Sequence, residues 1–123
     1  AIKQLANIPN IVCLKESAPD TRRFTDLYNA VGDKIMLFAG LDDVALEGLI
    51  LGAKGWVSGL TNAFPKESLE LYNAYKRNDL ETALAIYRWF MPLRCGGIGR
   101  IIALRAPAAH AAGRCRATNA RPE

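Results

Sequence analysis

The fold is decided by one short stretch of sequence, Ile11-Val12-Cys13-Leu14-Lys15. Its first four residues are apolar and two of them are β-branched, which predicts a buried strand over 11–14. Strands that are apolar on both faces are typical of parallel sheets covered by helices. The stretch therefore indicates an α/β protein in which a lysine follows directly on a buried strand.

Two more apolar runs predict strands over 35–39 and 56–58. A helix is predicted between the first two strands, because apolar residues recur there at helical spacing after Asp20, a candidate N-cap, and before Gly32, a candidate stop. Amphipathic segments after the later strands extend the order to βαβαβαα. Three strands are too few to close a barrel, so the sheet is either a small open one or the last third of something larger.

The remaining helix boundaries are also predicted from single residues. Asp42 and Asp43 are expected to cap the helix after the second strand, and Gly52 to end it. Pro65 suits the first turn of the next helix. Asn78, followed three residues later by a glutamate, resembles a capping box at the start of the last helix.

The composition is that of one globular domain, with 123 residues, half of them apolar, and a net charge of +4. Residues 1–93 carry ten basic and eleven acidic side chains, whereas residues 94–123 carry six arginines and one glutamate. We therefore expect a globular part over 1–93 and a basic, disordered tail over 94–123, with no nucleic-acid partner for the globular part. No apolar run is long enough to span a membrane, and three sparse cysteines predict reduced thiols and a cytoplasmic location.

The tail has an unusual composition, since 20 of its 30 residues are Ala, Arg, Gly or Pro. All four residue types have GC-rich codons. One interpretation is therefore a GC-rich coding sequence that is read out of frame after residue 93. The alternative is a natural, flexible basic extension, and sequencing of the gene separates the two.

Lys15 is the candidate catalytic residue, because it stands at the carboxyl end of a predicted strand, where ligand sites form in parallel α/β folds. A lysine that is partly removed from water favours its neutral amine, which is the nucleophile that Schiff-base formation requires. The alternative is a lysine that reaches into solvent or pairs with Glu16.

Three residues at the ends of the other predicted strands are candidate substrate-binding residues: Gly40, Val57 and Ser58. Glycine permits close approach of a ligand, and a hydroxyl or peptide group is suited to a ligand carboxylate. The alternatives are a simple turn at Gly40 and a local hydrogen bond from the backbone to Ser58. No metal and no cofactor are predicted, because no histidine or further carboxylate accompanies the aspartates at 42 and 43.

Several stretches, in order, resemble the C-terminal part of the dihydrodipicolinate synthase and N-acetylneuraminate lyase family. They are Ile-Val-Cys-Leu-Lys-Glu-Ser at 11–17, Leu-Phe-Ala-Gly-Leu-Asp-Asp at 37–43, Gly-Ala-Lys-Gly-Trp-Val-Ser-Gly at 52–59, and the helical residues 84–93. The resemblance covers residues 1–93. It implies strands six to eight of a (β/α)₈ barrel plus C-terminal helices, and homo-tetrameric full-length relatives.

The resemblance also implies site roles. Lys15 corresponds to the lysine that forms a Schiff base with pyruvate or another 2-oxo acid, Gly40 to a glycine that lines the active site, and Val57 to a β-branched residue near the bound keto acid. Residues 22–30 and 87–93 are more similar to a branch that deaminates 1-pyrroline-4-hydroxy-2-carboxylate.

The family's threonine pair and catalytic tyrosine belong to earlier strands, so the chain is expected to be a truncated and inactive piece of a Schiff-base lyase. Two other hypotheses remain open. One is a small binding module whose arginine-rich tail contacts an acidic partner, and the other is a misfolded remnant without function.

Overall fold

A computed structural model of the chain describes residues 1–94. The helices are α1 (Ile2–Leu5), α2 (Arg22–Val31), α3 (Ala45–Ile50), α4 (Pro65–Lys76) and α5 (Leu80–Arg94), and the strands are β1 (Cys13–Glu16), β2 (Met36–Ala39) and β3 (Gly55–Trp56). The strands form one parallel sheet in the order β1-β2-β3. The predicted α/β class and the parallel sheet are confirmed, and the predicted order βαβαβαα is observed after the short helix α1, which was not predicted.

The strands begin and end at slightly different residues than predicted. The first was predicted over 11–14 and is observed at Cys13–Glu16, which places Lys15 inside the strand. The third was predicted over 56–58 and is observed at Gly55–Trp56, although the Val57 N–H still donates to the Ala39 carbonyl at 2.8 Å. Apolar composition locates a strand, whereas pairing with its neighbour sets its limits.

The two faces of the sheet differ. Leu37 and Ala39 of β2 are buried against α2, where Phe24 and Leu27 form part of the same apolar cluster. The opposite face is open over β1 and the start of β2, where Cys13, Lys15 and Met36 are exposed, Met36 at 43%, whereas Gly55 of β3, near α4, is buried. Over β1 and the start of β2 the sheet is therefore covered by helices on one side only.

The uncovered face corrects one prediction. The position of Cys13 between two apolar residues predicts an inert thiol in the core, but Cys13 is exposed. Its side chain belongs to the alternate set of β1 residues that face away from α2.

The helix ends confirm some caps and correct others. The N-cap of α2 is Thr21 and not the predicted Asp20, although the Asp20 carboxylate accepts a hydrogen bond from the Arg22 N–H. Gly32 ends that helix at φ +57°, as predicted. The predicted cap at Asn78 is wrong, because Asn78 adopts φ +60° after α4 and Asp79 caps α5 by accepting from the Thr82 N–H at 3.1 Å.

The last two helices form a second apolar cluster. Its buried members include Leu71 of α4 and Tyr87 of α5, and they pack around Leu46 of α3. Tyrosine hydroxyls connect this helical pair to α3 and to the loop after β2: Tyr75 donates to the Leu49 carbonyl of α3 at 2.8 Å, and Tyr87 donates to the Asp43 carbonyl of the loop. Within residues 1–94, no helix combines the length and apolar character needed to cross a membrane.

Candidate active site

Lys15 lies on the uncovered face of the sheet. It is paired with Phe38 of β2, which is paired in turn with Gly55 of β3. Register partners in neighbouring strands point to the same face, so these three residues form one row across the sheet. The carboxyl ends of all three strands meet just beyond this row, as the sequence predicted for a ligand site.

Gly40 lies directly beside Lys15. Its N–H donates to the Glu16 carbonyl at 2.7 Å, which continues the β1–β2 pairing by one residue. A Cβ placed on Gly40 would lie 2.9 Å from Cε of Lys15. The structure thus brings together two of the four predicted site residues in direct contact.

Val57 and Ser58 follow β3 at the same end of the sheet. Val57 is half exposed. The Oγ of Ser58 accepts a hydrogen bond from the Thr61 N–H at 3.0 Å, which is the local backbone bond that the alternative interpretation expected. Because a hydroxyl both donates and accepts, its proton is still able to serve a ligand.

The charged side chains of Lys15 and Glu16, which are neighbours in sequence, have different surroundings. Glu16 points to the opposite face, where its carboxylate accepts from the Ala18 N–H at 2.8 Å and lies 3.6 Å from Nε of Arg23. Among residues 1–94 no ion pair of Lys15 is found, so the pairing with Glu16 is not observed.

Lys15 is exposed, which differs from the partial removal from water that its position suggested. Lys15 is exposed because no helix or strand among the described residues lies over its side chain. Burial that favours the neutral amine must therefore come from a further layer of protein or from a bound ligand.

Asp42 was missed as a residue that organises the site. Its Oδ1 accepts from Nε1 of Trp56 at 3.2 Å and its Oδ2 accepts from the Leu60 N–H at 3.3 Å. It makes no cap hydrogen bond to its own helix, so the predicted helix-cap role is wrong. Asp42 instead connects the loop after β2 to β3 and the turn beyond it.

Metal-ligating side chains are scattered over the part of the chain that the structure describes. No group of three or more His, Cys, Asp or Glu residues is close enough there to hold a metal ion. The candidate site is built from an amine, a glycine, an apolar side chain and a hydroxyl.

These features define a class of α/β proteins whose ligand sites lie at the carboxyl ends of parallel strands. The sequence profile of the dihydrodipicolinate synthetase family matches residues 1–102. The chain belongs to this family, as the sequence resemblance predicted.

The chain is 37% identical over 92 residues to the 4-hydroxy-tetrahydrodipicolinate synthase of Thermodesulfovibrio yellowstonii, an overlap of 75% of this chain and 32% of that protein. The solved dihydrodipicolinate synthase of Aquifex aeolicus is similar with a TM-score of 0.69 and 32% identity, over 75% of this chain and 31% of that one. The Acinetobacter baumannii enzyme, solved with pyruvate, gives a TM-score of 0.71 and 28% identity, over 84% and 37%.

The chain spans about a third of the length of these relatives. The solved relatives are TIM-barrel enzymes, and the α/β chain corresponds to part of such a barrel.

Proposed function

We propose that the chain carries the lysine-bearing part of a lyase that acts on pyruvate or another 2-oxo acid, with Lys15 as the Schiff-base residue. Its strands are strands six to eight of the (β/α)₈ barrel. The observation that carries the proposal is the position of Lys15 within β1, exposed on the uncovered face beside Gly40. Family membership and the pyruvate complex of the Acinetobacter baumannii enzyme support the same substrate class.

The proposed chemistry begins with the neutral amine of Lys15. Its nitrogen lone pair attacks the keto carbon, the carbonyl π electrons move to oxygen, and that oxygen takes up protons and leaves as water. The resulting iminium nitrogen draws electrons from the neighbouring carbon. In this proposal, Val57 contacts the apolar part of the keto acid and the Ser58 hydroxyl donates to its carboxylate.

The finer assignment to a reaction stays a prediction. An iminium at Lys15 serves both condensation with an aldehyde and deamination of 1-pyrroline-4-hydroxy-2-carboxylate. The relatives described above carry the synthase name, which supports the first reaction. The cytoplasmic location and the tetrameric state of full-length relatives also remain predictions.

We expect the 123-residue chain to form the adduct without completing turnover. Lys15 is exposed, and the reaction of an iminium requires a site that excludes water and positions a second reactant. The other hypothesis, a binding module that uses the basic tail, concerns residues 95–123, which lie outside the described residues.

Trapping with borohydride tests the proposal. The chain is incubated with pyruvate and reduced, and the adduct is located by intact mass and peptide mapping. We expect modification of Lys15, its loss in Lys15→Ala, and no change in Lys54→Ala, which removes an exposed lysine just before β3. Equal labelling of Lys15→Ala, or no label on a folded wild-type chain, would contradict the proposal.

A further inference from the structure

Gly40 faces a small space that two other residues fill. A Cβ built on Gly40 would lie 2.1 Å from Oγ of Ser17 and 2.9 Å from Cε of Lys15. Real Cβ atoms do not approach other heavy atoms so closely. Only glycine therefore fits at position 40 while these two side chains stay where they are.

The same two distances place Lys15 and Ser17 side by side. Both atoms lie close to one point over Gly40, so the Ser17 hydroxyl is a near neighbour of the end of the Lys15 side chain. Glu16, between them in sequence, points to the other face. Ser17 follows Lys15 by two residues and therefore lies on the same side of the sheet as Lys15.

A backbone contact prevents Gly40 from moving away. Its N–H donates to the Glu16 carbonyl at 2.7 Å, and the added Cβ would also lie 2.8 Å from that carbonyl oxygen. A side chain at 40 must therefore displace Lys15 and Ser17, and it must also push against the end of the β1–β2 pairing.

We propose that Gly40 is a positioning residue for Lys15, and that the space left by its missing side chain holds the lysine amine next to the Ser17 hydroxyl. This inference rests on the proposed function for Lys15 and goes beyond it. Gly40 then acts through the lysine instead of through contact with the keto acid.

The test uses the 123-residue chain with Gly40→Ala and a matched control, Gly55→Ala. Gly55 lies in β3 on the same face, and its added Cβ would meet only Phe38, at 3.3 Å. Two quantities are measured: the rate of borohydride-trapped adduct at a series of pyruvate concentrations, and the nuclear Overhauser contact between Hα of residue 40 and Hε of Lys15.

We expect Gly40→Ala to lose the proton contact and to form adduct about tenfold to a hundredfold more slowly at saturating pyruvate, which is the effect of a displacement of about 1 Å. Gly55→Ala should keep both properties. Ser17→Ala in the Gly40→Ala background removes the 2.1 Å clash but leaves the clashes with Lys15 and with the Glu16 carbonyl, so it should not restore the rate.

Three results would overturn the inference: an unchanged trapping rate in Gly40→Ala, full restoration by Ser17→Ala, or equal slowing in Gly55→Ala. A wild-type chain that forms no adduct contradicts the proposed function instead. In that case the nuclear Overhauser contact between residue 40 and Lys15 still tests whether Gly40 positions the lysine side chain, because this contact is measured without substrate.

Discussion

At the scale of single residues, consecutive side chains of β1 point to opposite faces of the sheet. Lys15 faces the open side, whereas Glu16 is held on the helix side by Arg23 and the backbone of Ala18. This alternation was predictable from the apolar run that precedes Lys15, because side chains alternate in any strand. The same alternation predicts that Ser17 lies on the face of Lys15, but its closeness to Gly40 depends on the register between β1 and β2, which the sequence does not give.

Asp42 gives the first prediction at this scale. The change Asp42→Ala leaves the Trp56 indole N–H and the Leu60 N–H without their acceptor. We expect the free energy of unfolding to fall by about 1–3 kcal/mol, at about 0.5–1.5 kcal/mol for each hydrogen bond. Urea denaturation followed by Trp fluorescence measures the change.

The control for Asp42 is Asp33→Ala, which removes an exposed carboxylate before β2. It should change stability by less than about 0.5 kcal/mol. Equal effects of the two substitutions would mean that Asp42 acts through its charge and not through these hydrogen bonds.

Asp79 gives a pH-dependent prediction. Hydrogen bonds from the Thr82 side chain and backbone hold the pKa of Asp79 below its ordinary value. The stabilisation is therefore fully present above about pH 4, near the unfolded pKa, and is lost as the pH falls through the folded pKa.

We expect Asp79→Asn to melt at a lower temperature than the wild type at pH 7, and the difference between the two melting temperatures to shrink as the pH falls below about 4. Circular dichroism at 222 nm follows the transition. Asp26→Asn, which removes an exposed carboxylate from α2, should show no such convergence. A difference between Asp79→Asn and the wild type that does not shrink as the pH falls below about 4 would refute the hydrogen-bond explanation.

At the scale of elements, the sequence located the strands and helices well and their ends less well. Apolar runs are a property of the strand itself, so β1, β2 and β3 were found in order. The sequence predicted Asn78 as the cap of α5, because Asn and Asp are both good caps. The left-handed backbone of Asn78 and the hydrogen bond from the Thr82 N–H show that Asp79 is the cap. Asp42 was misassigned because its partners lie 14 and 18 residues away.

The packing of α4 supplies a prediction at this scale. Leu71 is fully buried between α4 and α5, whereas Leu69, on the opposite side of the same helix, is 60% exposed. We expect Leu71→Ala to lower the free energy of unfolding by about 2–5 kcal/mol. Leu69→Ala should change it by less than about 0.5 kcal/mol, and a similar loss in both variants would contradict the observed orientation of α4.

At the scale of the whole molecule, the sheet over β1 and the start of β2 is covered on one face only. Met36 on the other face is 43% exposed, and the outer edges of β1 and β3 have no partner strand among the described residues. Apolar, unpaired strands favour association between molecules. Sequence patterns indicated strands that are buried on both faces, and they carry no information on whether the second layer is present.

The open face gives the prediction for the whole molecule. We expect the wild-type chain to elute as broad, concentration-dependent species in size-exclusion chromatography. Met36→Lys places a charge on the open face and should sharpen the profile toward a monomer. Leu69→Lys, at an exposed site on α4, should leave it broad, and a sharp wild-type monomer peak would contradict the prediction.

The tyrosine bonds between the helical pair and the sheet also set an order of events during synthesis. Tyr87 lies 44 residues after the Asp43 carbonyl to which it donates. At about 5–20 residues per second, a ribosome takes about 2–9 s to cover that distance. The loop after β2 is therefore synthesised several seconds before Tyr87, the donor of this hydrogen bond. The loop is accessible to chaperones and proteases throughout that interval.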